Sequence, residues 1–133
     1  MTANRQTPPV VAILNSNDDT VEMLRMMLES SGMVAVSAHI SDIRRGTFDF
    51  SGFVKEHDPQ VILYDIIPPY DRSWLMFQHL RGTDAVAGRR FVLTSTNPGR
   101  LREFIDPEQE VFEIIGKPYD LQMIVDAVKK ALG

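Results

Sequence analysis

Strands of a parallel sheet that are buried on both faces read as short, continuous apolar runs, and this chain carries such runs between stretches of helical spacing. Val10 to Leu14 is the first, bounded by Pro8-Pro9 and the turn-forming Asn15-Ser16-Asn17. From Asp19 the pattern turns helical, with Val21, Leu24 and Leu28 on one stripe. Asp19 followed by Glu22 matches a capping box, and Ser31-Gly32 stops the helix. Met33 to His39 reads as a second strand and Phe50 to His57 as a short helix after a polar connection. Val61 to Tyr64 is the third strand, ending at Asp65, and the prolines of Ile66-Ile67-Pro68-Pro69 force an open loop. Trp74 to Leu80 reads as a helix and Phe91 to Leu93 as a strand ending in Thr94-Ser95-Thr96. Asn97-Pro98-Gly99 opens a helix through Ile105. Phe112 to Ile115 is the last strand, and Leu121 to Leu132 a closing amphipathic helix with Leu121, Ile124, Val125, Val128 and Leu132 on its stripe. This alternation predicts an α/β domain over residues 10–133: a doubly wound, five-stranded parallel sheet with helices on both faces, a three-layer sandwich. Residues 1–9 form a polar, proline-bearing arm.

Composition narrows the class. A chain of 133 residues buries a core without staples, and 44% hydrophobic with 24% charged residues is a globular balance. The absence of cysteine excludes disulfides, thiolate metal sites and cysteine nucleophiles, and fits a reducing cytoplasm. A net charge of -4 argues against nucleic-acid binding, whose affinity comes mainly from cations neutralising phosphates. The pairs Arg44-Arg45, Arg89-Arg90 and Lys129-Lys130 fall in separate segments and read as solvated surface. No stretch approaches the ~18 apolar residues of a membrane span, and Met1 to Pro9 lacks the apolar run of a signal peptide. The expectation is a cytoplasmic protein that binds neither nucleic acid nor membrane.

In an open parallel sheet, ligands collect at the carboxyl ends of the strands, near the point where strand order reverses. The residues there are Asn15-Ser16-Asn17, Asp65, Thr94-Ser95 and Gly116-Lys117-Pro118. A carboxylate, a hydroxyl and an amine converging on one edge make an anion or phosphoryl site, because the hydroxyl and ammonium donate to phosphoryl oxygens. His39, His57 and His79 share no ligand spacing and read as surface or partly buried residues. Met23, Met26 and Met27 read as core and helix surface. Tyr70 and Trp74, beyond the Pro68-Pro69 loop, are open between the rim of the site and a partner surface.

From Val10 to Leu132 the chain resembles the receiver domain of two-component response regulators, the CheY-like superfamily with its flavodoxin-like sandwich. The segment from Val61 to Pro69 is similar to the strand and loop bearing the family's phosphoacceptor. Thr94 stands at the switch Ser/Thr position, and Lys117-Pro118-Tyr119 matches the Lys-Pro-aromatic signature. The resemblance implies that Asp65 takes a phosphoryl group from a histidine kinase or small phosphodonor, that Thr94 moves toward the phosphoryl oxygen, and that Lys117 contacts the acyl phosphate. It implies Mg²⁺ held by Asp65, the main-chain carbonyl of Ile67 and two acids after the first strand.

The departures are as informative. Asn15 and Ser16 stand where the family has those acids, and Mg²⁺ ordinarily takes one or two carboxylates in tight octahedral geometry. Mg²⁺ binding is therefore expected to be weak or absent, with Ser16 and Asp18 as substitute ligands. Asp19 reads as a helix cap rather than a ligand. Ile114 occupies the place of the family's switching aromatic, with Phe112 one pair earlier on the same strand face. Lys117 is open between a phosphoryl contact and a structural ion pair with Asp65.

Two signalling functions follow from the resemblance: a receiver governed by phosphorylation of Asp65, or a phosphorylation-independent pseudo-receiver that acts as a protein-interaction module. An enzyme of flavodoxin or dinucleotide-binding type lacks support, since no glycine-rich loop follows the first strand. The chain ends just past its last helix at Gly133, so it is expected either to act through other proteins or to be a fragment of a longer one. The family's output face is the last strand and helix. A signalling partner or a second copy is therefore expected to dock around Phe112 to Val128, where Met123, Ala127 and Lys130 flank the apolar stripe.

Overall fold

The computed structural model describes residues 7–95, 97–103, 113–116 and 121–133. Its strands are β1 (Val10–Asn15), β2 (Val34–His39), β3 (Val61–Ile66), β4 (Arg90–Ser95) and β5 (Glu113–Gly116). They form one parallel sheet in the order β2-β1-β3-β4-β5, so strand order reverses between β1 and β3. The helices are α1 (Asp18–Ser30), α2 (Ile40–Arg45), α3 (Phe50–His57), α4 (Tyr70–Arg81), α5 (Pro98–Arg102) and α6 (Leu121–Leu132), with a short 3-10 turn over Asp84–Val86.

Side-chain alternation along each strand divides the core into two layers. Ala12, Leu14, Ile62, Tyr64, Phe91 and Leu93 face one side, packed with Ile40 and Ile43 of α2, Phe50 and Val54 of α3, and Trp74, Phe77 and Leu80 of α4. Val11, Ile13, Val61, Leu63 and Val92 face the other, against Val21, Leu24 and Leu28 of α1 and Ile124, Val125 and Val128 of α6. Strands covered on both faces favour near-continuous apolar runs, and Val61–Ile66 is buried throughout, with Asp65 as its one charged residue.

Several local expectations are corrected. Asn17, not Asp19, caps α1: its side-chain oxygen accepts the Thr20 N–H at 2.9 Å, and Asp18 and Asp19 fill the first turn, where acids complement the helix dipole. The polar connection after β2 holds a helix of its own, α2, closed by Gly46 in the left-handed conformation at φ 77°. Helix α4 starts at Tyr70, directly after a cis Pro68–Pro69 bond, one turn earlier than the spacing suggests. Trp74 is a core residue at 4% exposure, its ring tilted against Phe77 with centroids 5.1 Å apart, and Tyr70 is half-buried against the same core, so neither is a free rim. Ala127, expected on a docking surface, is buried at 2% exposure in the layer under α6, whereas Met123 and Lys130 are exposed. Phe112 and the stretch to Ile105 beyond α5 lie outside the described residues. No helix among the described residues is long and apolar enough to cross a membrane.

Candidate functional site at the carboxyl edge of the sheet

Asp65 and Thr94 are brought together by register. The two are partners across the β3–β4 ladder, and both project to the face covered by α1 and α6, as the parity of Leu63 and Val92 requires. The Thr94 hydroxyl donates to the Asp65 carboxylate at 2.6 Å. Each residue is 4% exposed, so this charge-assisted bond lies in low dielectric, where it is stronger than in water. Leu14 pairs with Tyr64, and the next residue of β1, Asn15, is buried as well.

Asn15 is already engaged: its side-chain oxygen accepts the Asn17 N–H at 2.9 Å and shapes the turn into α1. Ser16 is exposed at the same turn. Asp18 points outward, its side chain 84% exposed and 2.5 Å from the His39 ring. Asp19 is exposed in the first turn of α1. The Ile67 N–H donates to Ser73 at 3.2 Å, which ties the loop after β3 to α4. Among the described residues, no group of three or more acids and histidines is placed to hold a metal ion. Lys117, with its Pro118-Tyr119 signature, lies outside the described residues, as do the side-chain surroundings of Ile114. His57 and His79 are on α3 and α4 and approach neither each other nor Asp65 as a ligand set.

The opposite face of β3 holds a group that the sequence reading passed over. Tyr64 is 1% exposed, and its hydroxyl has no hydrogen-bond partner among the described residues. Burial pushes its phenol well above the ordinary range; Arg44 opposes the rise and Asp65 adds to it. A signal was available, since a phenol inside an otherwise aliphatic strand buried on both faces must find a partner or leave a polar atom unsatisfied.

No family model matches the sequence, and no curated protein matches it. Solved structures do. The chain is similar to a sensor protein from Polaromonas sp. JS666, with a TM-score of 0.71 at 20% identity over 93% of this chain and 95% of that one. It is similar to the chemotaxis response regulator CheY4 of Vibrio cholerae, with a TM-score of 0.72 at 13% identity over 94% and 99%. A signal receiver domain of a two-component histidine kinase from Clostridium thermocellum aligns with a TM-score of 0.70 at 18% identity over 93% and 97%. At these identities the likeness is one of fold: the chain has the fold of CheY-like response-regulator receiver domains.

Proposed function

We propose that this receiver-fold chain is a signal-transduction module whose state is governed at Asp65, the phosphoacceptor position, with Thr94 as the hydroxyl that senses it. The observation that carries this reading is the buried 2.6 Å bond from Thr94 to Asp65 at the carboxyl edge of the sheet. A phosphoryl group on that carboxylate would displace the bond and offer Thr94 a new acceptor, so modification and hydroxyl position are coupled by geometry. Lys117 is assigned the contact to the phosphoryl oxygens by resemblance. A histidine kinase or another signalling protein is the partner, in the cytoplasm, and the domain is not itself an enzyme.

The donor set fits a tightly bound Mg²⁺ poorly. Asp65 offers the one carboxylate, Asn15 spends its oxygen on the turn, and Asp18 is turned to His39. The carbonyl of Ile67 and the hydroxyl of Ser16 supply dipoles rather than charge. Bound Mg²⁺ neutralises charge on a transferring phosphoryl group, so weak occupancy slows labelling as well as binding. The same features favour a second reading, a phosphorylation-independent interaction module.

Labelling with radioactive acetyl phosphate separates the two. Slow, Mg²⁺-stimulated label that vanishes in Asp65→Asn supports the first reading. Absence of label at saturating donor and Mg²⁺ removes it and leaves the second.

A further inference from the structure

Tyr64, whose buried hydroxyl has no hydrogen-bond partner among the described residues, lines a cavity of about 340 Å³ between α2, the Ile67–Pro69 loop and α4. Its polar features are graded with depth. Tyr64, at 1% exposure, forms the floor; Arg44 of α2 and Arg72 of α4, both exposed, stand at the mouth. Ile40, Pro69 and Met76 supply apolar wall between them. Arg25, Arg45, Arg89 and Arg100 each have a carboxylate within reach, whereas neither Arg44 nor Arg72 has an ion-pair or hydrogen-bond partner among the described residues.

We propose that this cavity binds a small organic anion, with a neutral hydrogen-bonding tip on the Tyr64 hydroxyl, an apolar body against Ile40, Pro69 and Met76, and a carboxylate or phosphate head between Arg44 and Arg72. Each part answers a separate observation. A buried phenol without a partner is costly unless a ligand supplies one. Two arginines from different helices, free of carboxylates, present planar donors suited to bidentate recognition of an oxyanion. The volume falls at the lower end of small-molecule sites, enough for one ring with its substituents and too large for a bare inorganic ion to fill. The site is independent of the phosphorylation reading, because Asp65 and Thr94 do not line it and face the other side of the sheet. It touches the signalling edge through Ser16 and Ile67, which line the cavity and flank the Asp65 site.

The test uses the full chain, titrated by calorimetry and amide NMR with 4-hydroxybenzoate and with 4-hydroxyphenyl phosphate, which share the hydroxyl tip and the ring and differ in head group. Benzoate lacks the tip and 4-hydroxybenzyl alcohol lacks the charge. Saturable binding of at least one tipped anion with Kd at or below about 1 mM is expected, and the stronger of the two identifies the head group. Tyr64→Phe should weaken the tipped anion about tenfold and leave benzoate unchanged, which also shows that the variant is folded. Arg44→Gln with Arg72→Gln should weaken every anion at least tenfold and leave the neutral alcohol unaffected. Failure of both tipped anions to saturate near 1 mM would overturn the proposal. So would equal binding of inorganic phosphate, or affinities indifferent to Tyr64→Phe and to the arginine pair. Asp65→Asn should bind the anions normally, so failure of this site and failure of the Asp65 reading are read separately.

Discussion

At the scale of single residues, the two neighbours Tyr64 and Asp65 illustrate opposite solutions to burying a polar group. Asp65 is engaged by Thr94, and Thr94→Val, close in shape but without the donor, should destabilise the fold by about 1–3 kcal/mol in urea unfolding. Thr94→Ser keeps the donor and should cost less. Tyr64 is buried without a hydrogen-bond partner among the described residues, so Tyr64→Phe should be neutral or stabilising by up to about 1 kcal/mol near pH 7. Its pH dependence has a definite sign. Burial raises the folded phenol above the unfolded value of about 10, so the folded state holds the proton more tightly. That contribution is complete below the unfolded value and is lost as pH climbs toward the folded one. Urea midpoints of the parent chain should therefore fall more steeply above about pH 10 than those of Tyr64→Phe. Parallel curves would mean that Tyr64 ionises as an exposed phenol does. The positions of Asp65 and Thr94 near the carboxyl ends of β3 and β4 were legible in the sequence because each ends a buried apolar run. The free hydroxyl of Tyr64 was legible only as a problem, because the face of the sheet it occupies depends on register.

Secondary-structure elements show where hydrophobic pattern is sufficient and where it is not. Helices α3 and α6 lie where their apolar stripes put them, and β1 and β3 agree with their runs to within a residue or two at the carboxyl end. Helix α2 escaped because a six-residue segment, Ile40 to Arg45, spans too few turns to establish a period, and only its two buried isoleucines mark it. What ends it is conformational: Gly46 is left-handed at φ 77°, and Gly46→Ala should cost about 1 kcal/mol in strain, a loss that an Asn at the same position reduces. The cap of α1 was displaced for a related reason. Asn17, Asp18 and Asp19 are all competent caps, and the choice is made by the turn that Asn15 builds with the Asn17 N–H. Asn17→Ala should lower stability by about 1 kcal/mol, whereas Asp19→Ala should stay within about 0.5 kcal/mol of the parent.

For the molecule as a whole, alternation of strand and helix made the layered fold readable, while the sheet order and the faces of individual residues emerged only from long-range pairing. That pairing brings Asp65 and Thr94 together at the carboxyl edge of the sheet, where, on the phosphoacceptor reading proposed above, one carboxylate stands in place of three. Restoring the acids by Asn15→Asp with Ser16→Asp tests what the pattern does. Asn15 is 4% exposed and sits beside the buried Asp65, so a second carboxylate there repels the first in low dielectric. Asp at this position still accepts the Asn17 N–H, and the turn survives. Without divalent cation the double variant should therefore be less stable than the parent by about 1–3 kcal/mol, because charge rather than shape has changed. Saturating Mg²⁺ should return that stability and more, since an ion bound only by the folded state stabilises it in proportion to the logarithm of its occupancy. The parent chain, with a single carboxylate, should shift little over the same titration. Calorimetry should register the affinity gain directly, and acetyl phosphate labelling at Asp65 should accelerate with it. Tight Mg²⁺ binding by the parent would contradict this account and would require Asp18 to leave His39 and turn toward Asp65, a movement that the His39 ring resonances would report.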